Sequence, residues 1–205
     1  MAKELTLDGF KAMLDNALSR IKAREDEFSQ LDAVTGDGDH GTAIVTAFSA
    51  VTRIAKDGTE FRAMLGDMGM GVMLEVSGST STLLGAFFLG MSDHAEGTVL
   101  DAAGVKKMFA GGLANVQQQT KARVGDKTMM DALIPAVEAM QACPSDDIKE
   151  ILSAAAAAAV KGADATIDMQ ANFGRARNYG ERSKGSMDSG AASWSQMLSA
   201  FAESK

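Results

Sequence analysis

Apolar residues recur along most of this chain at spacings of three and four, and that period sets the fold class before any other feature. From Phe10 they fall at Met13, Leu14, Ala17, Leu18 and Ile21, the stripe of a helix buried along one face. The stripe predicts a first helix over residues 4–31. A second, Ile44, Phe48, Val51 and Ile54, opens after a Gly/Asp cluster and stops at Asp57-Gly58. Phe61, Leu65, Met68, Val72 and Val76 make a third. Within it Gly66, Gly69 and Gly71 each cost roughly 1 kcal/mol of helix propensity relative to Ala, so they mark close packing against a neighbour. Leu83, Leu84, Phe87, Phe88 and Met91 form a fourth stripe, and others run at about 101–120, 127–142, 146–170 and 190–203. The total is eight helices in one domain spanning 1–205, with no linker and no repeat. Alternating strand runs are absent, so an all-α bundle is predicted, with Pro135 kinking the sixth helix.

Charge narrows the function classes. Lys and Arg number 20 against 27 Asp and Glu, a net charge of −7, which argues against a general nucleic-acid or acidic-membrane binder. Polyanion binding must then be local or metal-assisted. Cys143 is the sole cysteine, which excludes a disulfide framework and fits a reducing cytoplasm. No signal peptide is read near Met1, and no apolar run approaches the ~20 residues of a membrane span. The methionines, among them Met13, Met64, Met91, Met108 and Met140, fall on helical stripes and are read as core filler.

Three polar breaks concentrate chemistry. In Leu31-Asp32-Ala33-Val34-Thr35-Gly36-Asp37-Gly38-Asp39-His40-Gly41 the glycines match a dinucleotide fingerprint by letter. A helix rather than a strand precedes them, however, and the EF-hand count fails at Gly41 and Phe48. The glycines allow Asp32, Asp37 and Asp39 to converge. Two like charges ~4 Å apart repel by ~4 kcal/mol at an effective dielectric of 20, so such a trio calls for a cation, and oxygen-only donors select Mg²⁺ or Ca²⁺. The competing assignment has Asp37 or Asp39 capping the next helix and Asp32 solvated. Asp32 at a helix C-terminus favours the cation, because the macrodipole there disfavours a bare carboxylate. Ser77-Gly78-Ser79-Thr80-Ser81 before an apolar helix is either an anion site or an ordinary capping turn. Gly174-Arg175-Ala176-Arg177-Asn178-Tyr179-Gly180-Glu181-Arg182-Ser183-Lys184-Gly185, followed by Ser186-Met187-Asp188-Ser189-Gly190, is a solvated basic loop or a phosphate clamp. Gly125-Asp126-Lys127-Thr128 is not a Walker loop, since Thr120 stands at the required earlier glycine.

Together and in this order, the Gly-Asp-Gly-Asp-His-Gly loop, the Gly-Ser-Thr-Ser break, Gly-Asp-Lys-Thr-Met, Gly-Arg-Ala, Gly-Glu-Arg-Ser and Asp-Ser-Gly-Ala resemble the nucleotide-binding L subunit of bacterial dihydroxyacetone kinases, over roughly Phe10 to Phe201. The resemblance implies a barrel of eight antiparallel amphipathic helices with a nucleotide at one end. It implies that Asp32, Asp37 and Asp39 hold two Mg²⁺ ions and are the catalytic set, bridging the phosphates of ADP or ATP. His40, Gly41, Ser79 and Thr80 would surround the phosphates, Met129 and Arg175 would line the pocket, and Asp188, Ser189 and Gly190 would close over it. The implied reaction is phosphoryl transfer of the glycerone kinase type to a short ketose, three- or four-carbon, held on a separate K subunit. The donor is ATP or a phosphotransferase-system phosphocarrier. Departures from the common pattern stand at Ala43, Ser77, Thr120 and Ser189, none of them a metal ligand. Alternatives are a nucleotide-loaded module that signals to a transcription regulator, a structural helical protein, and a hydrolase using His40 as base.

Overall fold

The computed structural model describes residues 3–204, and the chain is dominated by helix. Nine α-helices are found among the described residues: α1 (Leu7–Ala23), α2 (Glu25–Ala33), α3 (His40–Ala55), α4 (Phe61–Glu75), α5 (Ser79–Ser92), α6 (Ala102–Gln119), α7 (Met130–Ala142), α8 (Ile148–Ala165) and α9 (Ser189–Ala202). The predicted first helix is two, broken at Arg24, whose φ of −118° and ψ of 16° leave the helical region. Glu25, Asp26 and Glu27 then open α2, where acidic residues suit a helix N-terminus. The break is invisible in the stripe because Ile21 and Phe28, seven residues apart and both fully buried, stay in phase across it.

Residues 4–6 are also not helical. They form a strand, β1 (Glu4–Thr6), paired antiparallel with β2 (Val99–Asp101), Leu5 opposite Leu100. Each strand has three residues with one buried, too short for alternation to register in the sequence. This small sheet corrects the expectation of a chain without strands.

Consecutive helices pack on each other from α3 through to α9, and α9 returns to α1, which also meets α3. Inside, aromatic rings form a continuous line. Trp194 meets Phe87 at 5.3 Å, Phe87 meets Phe109 at 6.0 Å, Phe109 meets Phe201 at 6.4 Å, and Phe10 joins Phe201 to Phe61. Most of these contacts are edge-on, the arrangement the ring quadrupoles favour. The five methionines named above for the core, Met91 included, are all buried. Gly69 of α4 lies against α5, where a Cβ would sit 2.8 Å from the Gly85 carbonyl oxygen.

Helix α7 runs through Pro135 without interruption. Proline has no N–H to give the carbonyl four residues back, which belongs to Asp131. Gly162 of α8 faces that freed oxygen so closely that a Cβ there would overlap it. The proline and the glycine thus explain each other, and together they bring the start of α7 against the end of α8.

Candidate functional site

The loops before α3, α5, α7 and α9 meet around a cleft of about 400 Å³. The acidic loop forms one wall. The αR turn after α2 folds back through Gly36 N to Asp32 O and through Gly38, whose φ of 77° a residue with a Cβ rarely adopts. This return brings one oxygen each from Asp32, Asp37 and Asp39 within 4.8 Å of one another. Asp32 is held in place: its carboxylate accepts from Gly38 N at 2.8 Å and from the Ser189 hydroxyl at 3.2 Å. Asp39 occupies the N-cap position of α3, yet its side chain makes no capping bond. Asp37 pairs with Arg175 across the cleft, and that guanidinium holds its carboxyl below the ordinary carboxylate range.

Mg²⁺ takes oxygen ligands at about 2.1 Å, which puts neighbouring donors about 3 Å apart and opposite ones about 4.2 Å apart. Three carboxylate oxygens within 4.8 Å fit such a shell after a small closure, and no nitrogen or sulfur donor competes in the trio. The residues present therefore suit a hard divalent cation.

Beside the acids, α3 and α5 begin under Asp39 and Gly78 with no side-chain cap. Ser79 is the first residue of α5, so Ser79, Thr80 and Ser81 form its opening turn while Ser77 and Gly78 precede it. Uncapped helix starts present backbone N–H groups and the positive end of the macrodipole. His40 sits between them, its Nε2 2.8 Å from the Ser193 hydroxyl and its Nδ1 3.4 Å from that of Thr80. Burial pushes the imidazole below its ordinary value, against the pull of Asp32 and Asp39. Ser193 is no nucleophile for it, being 1% exposed and donating to Gly190 O of its own helix.

The floor joins Asp188, singled out in the sequence, with groups that sequence reasoning gave no role. Lys127 is 3% exposed and has a φ of 61°. Asp131, 1% exposed, accepts from Gly125 N at 2.6 Å and Thr128 N at 2.8 Å and so shapes the turn that presents Lys127. The Gly-Asp-Lys-Thr fragment was the available signal: it is not a Walker loop, and the family resemblance that it helps to carry gave Lys127 no role. Asp188 caps α9 through Ala191 N, and burial pushes its carboxyl up to about 7. Trp194 closes the cleft beneath.

Of the residues singled out in the sequence, Asp32, Asp37, Asp39, His40, Ser79, Thr80, Met129, Arg175, Asp188, Ser189 and Gly190 all line this cleft. Gly41 does not: its Cα is packed against the Glu25 carbonyl of α2, leaving no room for a side chain. In the basic segment, a 3-10 stretch over Arg175–Ser183, only Arg175 is bonded to the acidic loop. Arg182 stacks on Tyr179 and Lys184 bonds Glu181, so those two cations are engaged locally.

The chain is similar to known proteins over most of its length. The family model described as the DAK2 domain matches residues 34–203. The chain belongs to the DAK2 domain family. This DAK2 chain is 34% identical to the PEP-dependent dihydroxyacetone kinase 2 ADP-binding subunit DhaL of Listeria innocua, covering 95% of this chain and 94% of that one. It is 33% identical to the D-erythrulose kinase of Mycolicibacterium smegmatis, covering 82% of this chain but only 30% of that enzyme. Among solved structures, the dihydroxyacetone kinase of C. freundii in complex with AMP-PNP and Mg²⁺ superposes with a TM-score of 0.70 at 25% identity. The superposition covers 95% of this DAK2 chain and 33% of that kinase.

Proposed function

We propose that this DAK2 chain, as one domain, is the nucleotide-binding phosphotransfer subunit of a dihydroxyacetone-type kinase. One observation carries this: three carboxylates, two uncapped helix starts and the Arg175 guanidinium converge on a single cleft. Asp32, Asp37 and Asp39 hold two Mg²⁺ ions, which when bound neutralise the phosphate charge of ADP or ATP and polarise the oxygens that exchange the phosphoryl group. Ser79 and Thr80 offer hydroxyls and first-turn amides to the phosphates. His40 stands neutral beside them, and Gly41 contributes through its amide alone. Arg175 pairs with phosphate oxygens, Met129 lines the pocket, and Asp188, Ser189 and Gly190 form the edge that closes it. The packing order of the helices supports an eight-helix antiparallel barrel in which α1 and α2 count as one bent member.

The Listeria relative is named as one subunit of a kinase, which supports a separate K subunit that presents the ketose. The name of the Listeria relative supports ADP as the resident nucleotide and a phosphocarrier as its recharging donor. Similarity to the D-erythrulose kinase supports a second reading, a four-carbon ketose as acceptor. No helix among the described residues is long and apolar enough to cross a membrane, and the sole cysteine suits the cytoplasm.

Calorimetry tests the core of this. The purified protein binds ADP in Mg²⁺, and EDTA removes the binding. Failure to bind ADP in Mg²⁺ would overturn the assignment, and binding indifferent to EDTA would overturn the role of the acidic trio.

A further inference from the structure

Between α8 and α9 the chain makes an excursion over residues 167–187 that carries Arg175 to the cleft. Its two ends meet at a neck. Gly185 N donates to Ile167 O at 2.8 Å, and Asp188 N donates to the Thr166 hydroxyl at 2.9 Å. The buried Lys127 ammonium joins the same two ends, donating to Thr166 O and Ser186 O at 2.5 Å each. The residue that does this adopts a left-handed backbone, which sterics disfavour for any side chain with a Cβ. No carboxylate among the described residues lies within salt-bridge distance of it. Burial pushes its ammonium below the ordinary lysine range, against the weaker pull of Asp188, Asp131 and Asp168 from further off. A second tie runs from the same turn, Asn172 N donating to Asp126 O at 3.2 Å. Past the neck, Gly174 and Gly180 have φ of 64° and 54°, so the excursion turns at points that favour glycine.

We propose that Lys127 is a positioning residue: its ammonium clamps the neck of the 167–187 excursion and thereby sets where Arg175 stands over the cleft. The half of this that concerns nucleotide rests on the function proposed above. Helices α8 and α9 pack directly on one another, so loss of the clamp frees the excursion rather than the core.

Trypsin reads the clamp without any ligand, because Arg175, Arg177, Arg182 and Lys184 all lie beyond the neck. In Lys127→Met, cleavage within 175–184 is expected to speed up roughly tenfold, with cleavage elsewhere unchanged. Affinity for ADP in Mg²⁺ is expected to fall about tenfold, but less than about twofold when Arg175→Ala is already present. That coupling separates positioning through Arg175 from a general structural role. Unchanged cleavage, or an equal fall in affinity with and without Arg175, would overturn the proposal. Wild-type protein that binds no ADP would refute the nucleotide function, and the cleavage rates would still decide whether the clamp exists. Lys127→Gly, which removes the ammonium and relieves the left-handed backbone, is the second variant. Loss of helix content by circular dichroism in both would make Lys127 a folding residue and defeat the positioning role.

Discussion

The two ends of the helical bundle differ in how some of their helix starts are satisfied, although α9 at the cleft is capped by Asp188. Beside the small sheet, α1 starts under Thr6, whose hydroxyl accepts from Gly9 N at 3.0 Å, and α6 under Asp101, which accepts from Gly104 N at 2.7 Å. The start of α4 there is met by a backbone carbonyl, Phe61 N donating to Gly97 O at 2.8 Å. At the cleft, α3 and α5 start without side-chain caps, although Asp39 stands in the capping position. Its carboxylate is gathered with those of Asp32 and Asp37 instead. A lost cap costs about 1 kcal/mol of stability, and gathered like charges add to that. At α3 and α5 the cleft therefore forgoes stability that α1 and α6 take at the sheet end, as expected where a ligand completes the bonding.

The largest test of this contrast is Asp32→Asn. The amide oxygen keeps the bond from Gly38 N, its NH₂ turns to donate to the Ser189 hydroxyl, and the charge is lost. Phosphoryl transfer in a coupled assay with a K subunit should fall by roughly three orders of magnitude with helix content intact. In EDTA the same variant should melt above the wild type, since it relieves repulsion among the carboxylates. Transfer within about tenfold of wild type would erase the functional difference between the two ends.

A pH experiment comes next in size. Asp188 titrates near 7 in the folded chain against an ordinary value of 3.8. The unfolded chain therefore releases this proton first as pH rises. Metal-free stability should decline from about pH 4 to pH 7 and then level, by at most about 4 kcal/mol from this group. Asparagine at 188 keeps the cap and removes the titration. Urea midpoints at pH 5 and pH 8 should then lie closer together than in the wild type, and an unchanged gap would show that the cleft floor does not strain this carboxylate.

How much of this was legible in the sequence differs between the ends. The helical period located the elements, and the acidic letters Asp32, Asp37 and Asp39 announced their own convergence. The sheet was not legible, because three-residue strands bury one side chain each and leave no period. Nor was the turn at Arg24, where the stripe keeps phase. Lys127 was hidden for a different reason. A lysine reads as solvated until tertiary structure encloses it, and its partners Thr166 O and Ser186 O are backbone atoms that no side-chain pattern encodes.

Gly162 links the cleft to the core, and alanine there should cost about 2–3 kcal/mol, because the added methyl must displace the Asp131 carbonyl. That movement is transmitted to the 125–128 turn through the Asp131 carboxylate. ADP affinity should weaken alongside the melting temperature. A variant that loses stability without losing affinity would separate the cleft floor from the α7 and α8 contact.

The smallest expected effect isolates the sheet end. Thr6→Ala removes one hydrogen bond, to Gly9 N, and exposes no buried group, so unfolding free energy should drop by about 1 kcal/mol. The neighbouring ties remain: Leu7 N still donates to Thr98 O and Lys11 still donates to Gly58 O. The aromatic line from Phe10 to Trp194 lies between this cap and the cleft floor, and nothing in it depends on the Thr6 hydroxyl. ADP affinity measured by calorimetry should accordingly stay within about twofold of wild type, as additivity holds for sites far apart without shared partners. A larger loss would mean that the two ends are coupled through the core, and the capped end would then belong to the functional machinery rather than to the scaffold.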